Sequence, residues 1–166
     1  MDRVIPVLLL AALFALALTG MLLGWRRRGR SQQHLPAPDP DEPVEQLDGA
    51  LGDGPFDAVY VNTVLGERPL ERVVAHGLGT RSPARISRGT AGSWRIERTG
   101  APSFTISGDA VTEVAAAPGM AGKFIGGDGL LVIRWQHGPD ATPLDTGLRL
   151  ARREDHDLLL ARKEHS

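Results

Sequence analysis

The chain has 166 residues, 19 of them basic and 20 acidic, for a net charge of −1, and only 5% of its residues are aromatic. A balance this close to zero provides no global field to draw the chain onto nucleic acid. The absence of cysteine excludes disulfides, thiolate metal sites, a lipidated cysteine and a thiol nucleophile together.

The first element is Val4–Gly24, a stretch without a single charge. As a helix rising ~1.5 Å per residue it covers about 31 Å, matching a hydrocarbon core of about 30 Å. Pro6 falls in the first turn, where its missing N–H has no helical partner to lose, and Trp25 stands where an interfacial anchor belongs. Arg26, Arg27, Arg28 and Arg30 follow the stretch, whereas only Arg3 precedes it and Asp2 offsets that charge. A signal peptide has its basic segment first and an apolar core of ~7–15 residues. The reversed order predicts an uncleaved bilayer anchor over 1–28, with its N-terminus outside and the remainder cytoplasmic by the positive-inside rule.

Residues 29–54 hold Pro36, Pro38, Pro40 and Pro43 among Asp39, Asp41, Glu42 and Glu45. Proline and acid at this density predict a solvated, polyproline-biased linker. Residues 55–166 are long enough for one core. Strands are expected at Phe56–Val64, Ala84–Arg88, Ser93–Arg98, Ser103–Ser107, Val111–Ala115, Leu130–His137 and Leu144–Leu150, from apolar–polar alternation broken by Gly, Pro, Asp and Ser. A helical turn is expected near Pro69–Val74, and a Gly126-Gly127-Asp128-Gly129 turn before the sixth strand. The tail Ala151–Lys163 begins acidic and ends basic, as a helix dipole favours, and Leu158 or Leu159 should face the core. Seven antiparallel strands and a C-terminal helix are the order of a pleckstrin-homology (PH)-like barrel, although periodicity alone also admits other small barrels or sandwiches.

Five runs, Ala75–Ser82, Glu97–Pro102, Gly119–Lys123, Leu131–Gly138 and Leu144–Arg149, resemble those of actinobacterial single-span membrane proteins with a bacterial PH-like domain. The resemblance extends over anchor, linker and domain. It implies fold and topology, a gene often found within a pyrimidine-biosynthesis cluster, and no established activity. Members are often labelled as transport or export proteins.

Catalytic signatures fail on spacing. Asp145-Thr146-Gly147 spells an aspartic-protease triplet, but too few residues follow it to build that fold. Gly119–Lys123 hints at a phosphate loop, yet Ala117 and Phe124 stand where Gly and Ser or Thr are required. His34, His76, His137, His156 and His165 have no metal-ligand spacing, and no cofactor is implied. The binding candidates are Arg81, Arg85 and Arg88, within a span that also holds Arg68, Arg72, Arg95 and Arg98 against three glutamates, together with Lys123 in an open turn. Such a group fits anionic headgroups or an acidic partner through charge-assisted hydrogen bonds. Because 17 of the 19 basic residues are arginine, as a GC-rich genome would produce, a plain solvated surface is the more ordinary account of them. Trp94 and Trp135 are expected in the core. The reading is a non-catalytic adaptor that brings a cytoplasmic protein to the membrane; the alternatives are an anionic-lipid sensor or an accessory subunit of a transporter.

Overall fold

The computed structural model describes residues 4–32, 35–120, 122–124 and 129–161. The chain divides into two compact units between His34 and Leu35.

Helix α1 (Val4–Ser31) carries the apolar stretch on through the arginine block. Its Thr19 hydroxyl donates to the Ala15 carbonyl at 2.7 Å, so the one hydroxyl of the stretch needs no water. Leu10, Leu16 and Met21 are 71–75% exposed, and no side chain of the Val7–Gly24 window is buried within the protein. A helix apolar all round and uncovered by its own chain is compatible with a single membrane span.

The second unit begins with a strap, residues 35–43, followed by helix α2 (Val44–Asp48). Then come strands β1 (Leu51–Leu65), β2 (Arg68–Arg72), β3 (Ser82–Gly89), β4 (Trp94–Arg98), β5 (Phe104–Ile106), β6 (Val111–Ala117), β7 (Gly119–Met120), β8 (Lys123–Phe124), β9 (Leu130–His137) and β10 (Thr142–Leu150), and finally helix α3 (Arg153–Ala161). The main sheet has eight antiparallel strands in the order β5-β4-β3-β1-β10-β9-β6, with β2 also on β1, and it does not close. Its organiser is β1, which pairs with β3 over Leu51–Tyr60 and with β10 over Ala58–Leu65. One strand thus joins both halves of the sheet. Its register slips between Tyr60 and Asn62, leaving Val61 as the extra residue of a bulge.

Alternation fills the inner face with Tyr60, Ile86, Trp94, Ile96, Phe104, Ile106, Ile133, Trp135, Leu144 and Leu148. Helix α3 covers this core with Leu159, 1% exposed, and leaves Leu158 at 44%. At its start the Arg152 guanidinium grips the Asp155 carboxylate at 2.6 and 3.0 Å and holds that carboxyl below its ordinary range.

Three expectations change. The solvated linker gives way from Leu35 onward. Leu35 and Val44 are 4% and 0% exposed, and the polar residues between them find partners on the sheet. The His76 and His137 rings bond the Leu35 and Pro36 carbonyls at 2.8 and 2.9 Å through Nε2. Thr105 N–H donates to Asp39 O at 3.3 Å, and Arg95 holds Asp41 at 2.7 and 3.2 Å. The Asp48 carboxylate accepts from Ala91 N–H, Ser93 N–H and the Ser93 hydroxyl at 2.9, 3.1 and 2.5 Å. The helical turn near Pro69–Val74 is instead strand β2, because β1 runs long enough for Val64 to pair with Arg72. Two short hairpins, β1–β2 and β7–β8, raise the strand count above the seven expected. Gly126–Asp128 and the Arg162–Lys163 end of the tail lie outside the described residues.

Candidate functional site

Arg98, at the end of β4, is 6% exposed on the inner face. Its guanidinium donates to Ser82 Oγ at 3.0 Å and to the carbonyls of Gly77, Thr80 and Pro102 at 3.1, 2.6 and 3.4 Å. It stacks on Tyr60, with Cζ 3.9 Å from the ring centroid. Burial lowers its pKa, and the neighbouring Tyr60 acts against that shift. Tyr60 donates to Leu78 O at 2.7 Å and meets Thr63 Oγ1 at 2.6 Å, and burial pushes its phenol up to about 12. The chain of hydroxyls continues from Thr63 to Thr146 at 2.8 Å, where Trp135 Nε1 also donates at 3.0 Å. Four of the sequence runs therefore meet in one buried polar knot. They build the fold.

The Asp-Thr-Gly triplet has the same character. Asp145 takes a two-pronged grip from Arg134 at 2.9 and 3.3 Å, Arg134 also reaches Glu113 at 2.7 Å, and Thr146 belongs to the knot. A Cβ on Gly147 would stand 2.8 Å from Met120 Sδ, so glycine leaves the room that the Met120 thioether fills.

The outer face is different. Pro83 and Arg149 flank Val59 in register, and Arg85 lies opposite Asp57. Alternation therefore places Arg85 and Arg149 on the same outer face, diagonal across β1 and roughly 12 Å apart by strand spacing. Arg81 immediately precedes β3. All three are exposed, and none forms an ion pair or hydrogen bond among the described residues. Asp57 and Glu97 lie opposite Arg85 in the ladders, yet Glu97 pairs with Arg95 at 3.4 Å instead.

The sequence candidates are thus divided. Arg81 and Arg85 belong to this face. Arg88 does not: it pairs with Trp94 on the core side of β3, its guanidinium carbon 5.7 Å from the indole centroid. Lys123 stands in β8 opposite Met120, in the separate β7–β8 hairpin rather than on the main sheet that carries the three arginines. Arg149 was missed, although its alternation with buried Leu148 and Leu150 is readable once β10 is drawn as a strand. A cleft of about 320 Å³ lies elsewhere, between the strap and β9, lined by Pro36, Asp39, Ile106, Ala110, Trp135 and His137. No candidate arginine reaches it, and among the described residues no cluster of His, Asp or Glu fits a metal ion.

An unclosed antiparallel sheet with a long shared first strand and a C-terminal helix over its core defines a PH-like domain. Folds of this class generally recognise lipids, peptides or protein surfaces rather than catalyse. Residues 34–164 match the family described as Bacterial PH domain-like, and the chain belongs to it. The matched span includes the strap, as its burial requires. No curated protein and no solved structure matches the chain.

Proposed function

We propose that the protein is a membrane-anchored interaction module without catalytic chemistry of its own, its PH-like domain cytoplasmic, holding a cytoplasmic protein at the membrane. The observation that carries this reading is the outer face of Arg81, Arg85 and Arg149, exposed and without carboxylate partners among the described residues, in a family whose fold serves recognition. Three guanidiniums of one sign accept carboxylate or phosphate in forked, charge-assisted pairs. A candidate span on the same chain would concentrate them at a membrane. That same combination favours a second reading, an anionic-lipid sensor, because bilayer surfaces rich in acidic lipid attract exposed arginines.

The experiment is cross-linked capture from native membranes with the full chain and with Arg81→Glu, Arg85→Glu and Arg149→Glu combined. Retention of a cytosolic protein by the wild type alone supports the adaptor. Binding to phosphatidylglycerol vesicles that salt and the reversals abolish, with no protein retained, moves the function to lipid. Equal capture by both chains would leave the arginines as a solvated surface. Orientation has its own check: a reporter active only outside the cytoplasm, fused after Ser166, is expected to stay silent.

A further inference from the structure

Asn62 is the chain's single asparagine. It is fully buried, and neither its amide oxygen nor its amide nitrogen has a hydrogen-bond partner among the described residues. An amide side chain brings two N–H donors and an acceptor, all of which water satisfies in the unfolded chain. Burying them unpaired opposes folding, whereas a leucine of similar size would fit an apolar site without that penalty. Buried polar groups are overwhelmingly paired, so an amide empty on both atoms points to a missing partner.

The bulge at Val61 fixes where this amide sits. Thr63 and Thr146 bond each other on the inner face, and Asn62 pairs in register with Gly147 on the outer one. The site is a notch in that face, opened by the absence of a side chain at Gly147 and filled by the Met120 thioether. Val64, Leu130 and Val132, each 7% exposed or less, bury around it on strands β1 and β9. The hairpin that delivers Met120 has only two-residue strands, and methionine is the most adaptable of the apolar side chains. The arrangement is a polar floor, apolar walls and a flexible plug.

We propose that this notch binds an extended peptide bearing acidic side chains, whose backbone amide pairs with the Asn62 side chain once Met120 swings aside. A peptide unit presents one N–H and one C=O, the complement of what Asn62 leaves empty. Arg149 lies two residues from Gly147 on the same strand and face, and Arg81 and Arg85 lie across β1, which supplies cations for the peptide's carboxylates. The acidic character of the ligand rests on the interaction reading above; the amide pairing does not.

Because Asn62 is the only asparagine, the full chain labelled with ¹⁵N-asparagine in phosphatidylcholine nanodiscs gives one side-chain amide pair, and ¹³C-methyl labelling adds Met120 among three methionines. The probe is an end-capped octapeptide of alternating Asp and Ala, with a second version N-methylated at every other residue. The peptide should shift the Asn62 and Met120 signals along one saturation curve, and N-methylation should weaken binding at least tenfold. Asn62→Leu should melt at or above the wild-type temperature while binding at least tenfold more weakly. A lower melting temperature for Asn62→Leu overturns the proposal, because the amide would then be a satisfied structural group. An Asn62 signal unmoved at the highest peptide concentration does the same. If the arginine reversals abolish binding and Asn62→Leu does not, the basic face stands and the notch falls. If Asn62→Leu abolishes binding and the reversals leave it intact, the notch stands and the basic face falls.

Discussion

Arg98 and Arg85 occupy adjacent strands and differ in almost everything else. Arg98 is enclosed, stacked on Tyr60 and bonded to a hydroxyl and three carbonyls, while Arg85 stands in solvent with no partner among the described residues. Two arginines equal in sequence thus do opposite work. One is a tie that closes loops onto the core, and the other is a charge left available. Arg98 is also neutralised without a carboxylate: carbonyl dipoles and an aromatic face take the role of a counter-ion.

The largest expected effect tests the inner half of this contrast. Arg98→Leu leaves the carbonyls of Gly77, Thr80 and Pro102 without their donor, and should cost about 3–5 kcal/mol in urea denaturation. Arg98→Lys should recover only part of that, because an ammonium cannot span acceptors arranged for a planar fork. Unchanged stability in Arg98→Leu would erase the distinction. Helix α3 repeats the comparison with leucines one residue apart. Leu159→Ala should cost about 2–4 kcal/mol, and Leu158→Ala less than about 1 kcal/mol.

Next comes the sole tyrosine, whose phenolate absorbance reports the knot alone. Its phenol is raised from 10.0 in the unfolded chain to about 12 in the fold. The neutral form is the one the fold favours, so its stabilisation is complete below the unfolded value and is lost as pH rises through that window. At 1.36 kcal/mol per unit the loss comes to about 2–3 kcal/mol. Phenolate absorbance rising near pH 10 in the folded protein would contradict it. The smallest effect belongs to the outer face: Arg81→Glu, Arg85→Glu and Arg149→Glu should each leave stability within about 0.5 kcal/mol while changing what the protein binds. A larger loss would mean that these arginines, too, serve the fold.

Much of the sheet was legible because alternation is a local signal. Leu130–His137 was expected at the bounds it has, and Trp94 and Trp135 are core. The strap was not legible. Its prolines and acids describe a chain with little reason to fold alone, and its order depends on just two apolar anchors and on partners 40 to 100 residues away, such as Thr105 for Glu42 and His137 for Pro36. Composition averages over such contacts. Of the candidate site, the clustering of Arg81, Arg85 and Arg88 is legible in sequence, but the side of the strand each one faces is not: Arg88 lies on the core side of β3, and Arg149 joins Arg85 on the outer face only once β1 and β10 are paired. The bulge that turns Asn62 outward has no sequence mark at all, since it arises from how β1 fits β10.

The strap also sets how the domain responds to force. A pull on the chain at Leu35 meets first the His76 and His137 bonds, then the Thr105 pairing, then the grip of Ser93 and Ala91 on Asp48, one after another. Contacts loaded in sequence peel, whereas the β1–β10 ladder behind them has seven paired residues to share a load. The strap and α2 together therefore act as a fuse: Leu35–Asp48 yields before the sheet does, and frees fourteen residues, at most about 45–50 Å of extended chain.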